Sequence, residues 1–177
     1  MNKLDIIKKT LKKEGGYVND PSDSGGETNH GITIEVARDF GYKGEMKDLT
    51  IDQAIEIYSK KYWAPLQLDK VVCLSDAIAE KLFDIGVNMG KKRAVKFLQR
   101  TLNFFNYGYF DDLLVDGLIG SNTIRALEII VNYRGTDGIK QILKAINSLQ
   151  GEFYISLTEK RPKDRKFAYG WFKGRVS

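Results

Sequence analysis

The chain has 177 residues, 42% apolar and 29% charged, enough for one well-packed domain or one domain with an attached subdomain, and not the composition of a disordered chain. Lys and Arg number 28 against 23 Asp and Glu, a net charge of +5; a scattered excess of this size fits an anionic cell envelope as well as it fits nucleic acid. One cysteine and one histidine exclude an internal disulfide and leave too few ligands for the usual zinc sites, so no metal or organic cofactor is expected.

Leu4, Ile7 and Leu11 recur at helical spacing between lysines, and Gly15-Gly16 ends the run, which places Glu14 on the last turn of a first helix. The same lysines interrupt any signal-peptide core, and no apolar run reaches the length of a membrane span. The expectation is synthesis in the cytoplasm without a signal peptide, and no stable membrane insertion. From Gly15 to Thr33, the glycines, Pro21 and short Tyr-Val and Gly-Ile-Thr pieces predict a small hairpin or wide loop. Thr33 then caps a short helix through Phe40, closed by Gly41. Thr50 with Gln53 forms a capping box for "IDQAIEIYSKKYW".

After a loop containing Pro65, Ser75 opens "DAIAEKLFDIGVNM", whose Ile78, Leu82, Ile85 and Met89 make an apolar stripe, and "KRAVKFLQRTLNFF" comes next as the second arm of a helical hairpin. A Gly-rich turn in "VDGLIGSNTIRALEII" leads to a helix from Ser121, then to "DGIKQILKAINSLQ", "EFYISLTEK", Pro162 and a tail with Trp171 and Phe172. The predicted fold is mainly α with a small β-hairpin or irregular lobe near the N-terminus. Cys73, in the apolar "VVCLS", reads as a small buried hydrophobe. The lysine clusters at Lys8 to Lys13 and Lys91 to Arg93 read as solvated helix faces.

Elimination narrows the chemistry. The "DSGG" at Asp23 to Gly26 has a serine-protease look, but no histidine precedes Ser24 to serve as its base, and no phosphate loop or dinucleotide fingerprint occurs. Carboxylates remain. Two acids in different surroundings suffice to cleave a glycosidic bond, one donating a proton to the leaving oxygen and one staying ionised. Glu14 and the aspartates after it offer such a set. Extended chain would hold Glu14 and Asp23 roughly 30 Å apart, so they meet only if the segment reverses, which Gly15, Gly16, Gly25 and Gly26 permit. Walls of Tyr17, Val18 or Ile32 would partly desolvate Glu14 and suit it to general-acid work. Thr28, Asn29 and His30 could orient water or the acids, or could simply bond their own loop.

The stretch "EGGYVNDPSDSGGETNHGIT", Glu14 to Thr33, resembles the signature of glycoside hydrolase family 108, the N-acetylmuramidase endolysins of phages and prophages. The resemblance implies that Glu14 is the catalytic acid and that the fold is lysozyme-like, a helix presenting that acid over a small β-like lobe. The order Glu14, Asp23, Thr28 is similar to the Glu, Asp, Thr series of phage lysozymes with the last gap one residue shorter, and Asp20 is a rival second acid. Tyr17, Asn19, Asp20 and His30 are substrate-binding candidates in the same loop. "LFDIGVNMGKKRAVKFLQRTLN", "VDGLIGSNTIRAL" and "FAYGWFKGRV" resemble the predicted peptidoglycan-binding region paired with this segment, Ser121 standing where proline is common. Asp84 and Asn88, four apart on one helix, could border the cleft. Tyr62, Trp63, Tyr107, Tyr109 and Trp171 are candidate sugar platforms.

The resemblance further implies a catalytic segment at 1–70 and a helical peptidoglycan-binding-like region at 71–177 packed against it. The expected activity is hydrolysis of the β-1,4 bond between N-acetylmuramic acid and N-acetylglucosamine in peptidoglycan, with a holin-type partner for release to the wall. The alternatives are a non-catalytic binding or export module, and a chitinase- or chitosanase-like glycosidase.

Overall fold

The structure, a computed structural model, describes residues 1–19 and 26–176. Asp20 and Asp23 lie outside the described residues. The chain divides into two compact units, Met1–Pro65 and Leu66–Ser177. Among the described residues no helix is long and apolar enough to cross a membrane.

In the first unit, α1 (Lys3–Glu14) starts with a capping box: the Asp5 amide donates to Asn2 Oδ1 at 3.0 Å and the Asn2 amide to Asp5 Oδ2 at 3.1 Å. Lys12 and Lys13 sit in its last turn, where they complement the helix dipole. Ile6, Ile7, Thr10 and Leu11 are its buried face. Gly15 then turns the chain out of the helix at φ 85°. Strands β1 (Thr28–Asn29) and β2 (Ile32–Thr33) pair antiparallel, Thr28 opposite Thr33 and Asn29 opposite Ile32. Val18 bridges Thr28 through two backbone bonds of 2.8 and 2.9 Å, which sets these two residues side by side.

α2 (Ile34–Asp39) is capped by Thr33, and a short 3₁₀ turn (Met46–Asp48) comes after it. The buried Asn29 Nδ2 donates to Met46 O at 2.7 Å and ties the hairpin to that turn. α3 (Ile51–Tyr58) carries the predicted Thr50–Gln53 box. It does not run on as α-helix through Trp63: Ser59–Trp63 is π-helical, with Ala64 N bonded to Ser59 O at 3.0 Å. The extra residue in that turn re-aims the side chains beyond it. Trp63 is wholly buried, part of the unit's core with Ile6, Ile7 and Tyr58.

The second unit is helical: α4 (Leu68–Leu74), α5 (Asp76–Met89), α6 (Lys91–Phe104), α7 (Ser121–Lys160) and α8 (Arg165–Arg175). α5 begins at the predicted Ser75 cap, and Gly90 at φ 88° joins it to α6 as the expected hairpin. The loop before α7 is held by α6 side chains. Gln99, 2% exposed, donates through Nε2 to Asp116 Oδ1 (2.9 Å) and Leu118 O (3.0 Å), and accepts from the Gly117 amide (2.9 Å). Asn103 makes a reciprocal pair of 2.8 Å bonds with the Leu113 backbone.

Several expectations change here. α4 falls where the sequence suggests loop, entered through a left-handed Gln67 (φ 48°) rather than a side-chain cap. The helix from Ser121 and the stretch from Asp137 are divided, as expected, at a non-helical Gly135 (φ 55°, ψ −142°), whereas the two stretches after it run on as one helix through Gly151, over which the Phe172 ring packs. The tail is α8, with Trp171 stacked on Tyr154 and Phe167 at 5.2 and 5.8 Å between ring centroids. Cys73 is exposed, not buried, since α4 turns it outward with its Sγ 3.2 Å from Asp69 O.

Candidate active site

Glu14 is the last residue of α1 and is half-buried. Its stem lies under the hairpin turn. His30 (φ 52°) and Gly31 (φ 71°) form the two-residue connection, both left-handed, as the tightest hairpin turns require. A Cβ at Gly31 would stand 2.8 Å from Glu14 Cβ and 2.8 Å from the Tyr58 hydroxyl. Backbone, acid and phenol therefore meet at one point, and only glycine fits there. Tyr58 OH in turn donates to His30 O at 3.1 Å, holding the turn against α3.

Tyr62 completes this face. It lies one turn beyond Tyr58, the ring centroids 5.4 Å apart, and burial first, then the negative charge of Glu14, pushes its hydroxyl above the ordinary tyrosine value. The π-helical turn carries Tyr62 to this place. The walls of the acid are thus Gly31, Tyr58 and Tyr62, with Ile32 buried in the adjoining core. Tyr17 and Val18, expected as walls, are 44% and 57% exposed. The reason is the Val18 bridge to Thr28, which places them on the outer edge of the hairpin.

That outer edge holds a second acid, which residue spacing does not single out. Glu27 Oε1 accepts from Tyr17 OH at 3.3 Å and from Asn19 Nδ2 at 3.4 Å. Its signal in the sequence is modest, an acid beside Thr28 within the signature. Thr28 itself is half-buried, its Oγ1 3.5 Å from Gly26 O, at the limit of a hydrogen bond. Asn29 is committed to the fold through Met46. His30 supplies a backbone carbonyl and a turn conformation.

Most of the remaining candidates lie in the second unit. Asp84 is 5% exposed and pairs with Arg175 Nη1 at 3.1 Å, so its carboxylate faces inward and not a glycan. Asn88 is exposed and donates back to Asp84 O at 2.9 Å, an intrahelical bond. Trp63 is core, and Trp171 and Tyr109 are occupied by neighbouring rings, Tyr109 with Tyr133 at 4.7 Å. Within the first unit, Tyr62 is the expected aromatic platform whose hydroxyl is pushed up by burial and by the charge of Glu14. No cluster of three or more His, Cys, Asp or Glu suited to a metal occurs among the described residues.

A glutamate pressed between a tight hairpin and a tyrosine is the kind of group that carboxylate glycosidases use as their general acid. Residues 7–90 match the Glycosyl hydrolase 108 family, and residues 93–176 match the Predicted Peptidoglycan domain. The two matches together define a glycosidase that acts on peptidoglycan. Among solved structures, SagA of Brucella abortus is similar, with 26% identity and a TM-score of 0.58, over 99% of this chain and 98% of that one. No curated protein matches.

Proposed function

We propose that the chain is a lysozyme-type muramidase, hydrolysing the β-1,4 bond between N-acetylmuramic acid and N-acetylglucosamine, with Glu14 as general acid. The observation that carries this reading is the placement of Glu14, fixed at a helix end with its stem against Gly31 and Tyr58 inside a Glycosyl hydrolase 108 segment. A carboxyl held there can give its proton to the leaving oxygen while Tyr62 offers the adjacent face to a sugar ring. Asp23 or Asp20 would supply the second carboxylate, steering water or stabilising the oxocarbenium-like centre, and Thr28 would orient it. Peptidoglycan is the partner, with residues 71–177 holding the glycan strand for the catalytic segment at 1–70. In the same reading the protein is an endolysin, and a holin-type protein opens the membrane for it.

Clearing of purified peptidoglycan by the wild type, compared with Glu14→Gln, tests the assignment, with mass analysis of the products. Wild-type clearing that yields reducing-end N-acetylmuramic acid, with at least a hundredfold loss in the variant, is the expected result. Equal clearing by both, or none by either, overturns it. Products with reducing-end N-acetylglucosamine, or lacking one water because the sugar's own hydroxyl attacked, would overturn the muramidase chemistry and leave the acid in place.

A further inference from the structure

Beyond Gly135, α7 presents an open stripe. Lys140, Lys144, Ser148, Glu152, Ser156 and Glu159 line one side of a groove of about 870 Å³, whose opposite wall is Phe172 of α8 and Val176 just beyond it. Their spacing of three or four residues puts them in one row, on the order of 30 Å long. The row is polarised: both lysines lie toward its N-terminal end and both glutamates toward its C-terminal end, all four exposed. Apolar surface flanks the middle, with Leu143 on one side of Ser148 and Ile155, 54% exposed, on the other.

A row with this order is complementary to itself. Lys144 and Glu152 are equidistant along the helix from Ser148. If a second copy of α7 lies antiparallel in the groove about a two-fold axis at Ser148, Glu152 of each copy meets Lys144 of the other, and the axis generates the pair twice. Lys140 of each then approaches the Ser156 to Glu159 end of its partner. Ser148 at the centre is small enough to let the helices come close, and the Phe172 ring seated over the buried Gly151, 3.2 Å from where a Cβ would be, supplies an apolar wall. Parallel pairing would set lysine against lysine. A partner carrying a single sign of charge would match only half of the row.

We propose that this groove is the interface of an antiparallel homodimer, formed by α7 and α8 of two copies of the chain. One helix row of this length gives an interface near the small end of the stable range, so the dimer exchanges with monomer at micromolar concentrations.

Sedimentation of the full chain at low salt, from about 1 to 200 µM, tests it. The wild type is expected to pass from monomer to dimer across that range. Lys144→Glu and Glu152→Lys each turn two attractive pairs into two repulsive ones and should weaken the dimer about tenfold or more. The double variant restores the pairing and should recover the wild-type curve, an outcome that misfolding of a single variant cannot mimic. Ile155→Asp, at an exposed position, should also give monomer with unchanged circular dichroism. A wild type that stays monomeric throughout overturns the proposal, as does a dimer indifferent to both single reversals. A dimer that the reversals break and the double variant does not rescue overturns the antiparallel register.

Discussion

At the scale of single residues, Gly31 is under the tightest constraint in the described part of the site. Its φ of 71° disfavours any side chain, and a methyl group would press on both Glu14 and Tyr58. Gly31→Ala should cost about 1–3 kcal/mol of stability and lower activity more than that loss explains, because relief of the clash displaces the acid itself. Thermal unfolding and peptidoglycan clearing on the same preparation check this. Tyr62 gives a second handle. Its hydroxyl titrates above the ordinary value of 10.0 in the folded protein, through burial and the charge of Glu14. Since the folded value is the higher one, the stabilisation is fully present below about pH 10 and is lost as pH rises through the folded value. Tyr62→Phe should therefore flatten the alkaline fall of stability, read as denaturation midpoints between pH 8 and about 11. The position of Glu14 at the end of α1 was legible in advance because a helix stop and a glycine pair both point at it. Gly31 as its contact was not, since that depends on a turn reaching across to α1 and α3, a non-local fact that spacing does not encode.

At the scale of elements, the caps carried most of the readable information. Thr33, Thr50 and Ser75 start helices through local bonds that span three residues, so sequence alone locates them. The π-turn after Tyr58 and the uninterrupted passage through Gly151 were not readable. Each results from tertiary packing that overrides local propensity, Trp63 drawn into the core in one case and Phe172 seated on the glycine in the other. The same holds for the loop before α7, whose conformation comes from Gln99 on α6. Gln99→Ala would strip the Gly117 amide and the Leu118 carbonyl of their partner and remove the donor to Asp116. The expected cost is about 3 kcal/mol. That bond to Gln99, and then the Leu118 amide, hold the Asp116 carboxyl below its usual range. Its contribution is therefore present above about pH 4 and is lost as pH falls through the depressed folded value. Asp116→Asn should make acid unfolding in this pH range less steep, measured by circular dichroism.

At the scale of the molecule, the two family segments are not two separable folding units. The match to Glycosyl hydrolase 108 ends at residue 90, just past α5, whereas α5 is built into the second compact unit and packs on α6 and α7. Its Lys81 Nζ donates to the Arg175 carbonyl at 2.5 Å, and its Asp84 meets the Arg175 guanidinium at 3.1 Å, so the end of α8 is held by α5. Arg175→Ala would strip a carboxylate 5% exposed of its guanidinium partner, at a cost of about 3 kcal/mol or more, while Asp84→Leu with Arg175→Met should recover much of it. A stronger consequence concerns truncation. A chain ending at Gly90 keeps the whole glycosidase match and loses α6, α7 and α8, which uncovers Ile78, Leu82, Phe83 and Ile85, all wholly buried in the full chain. That much apolar surface cannot stay exposed on an isolated helix pair. The truncated protein should be cut by protease between Leu66 and Met89 under conditions that leave the full chain intact, with less helix by circular dichroism than residues 1–90 have in the structure. Protection of α4 and α5 in the truncated chain equal to that in the full one would show that the family boundary is a folding boundary after all.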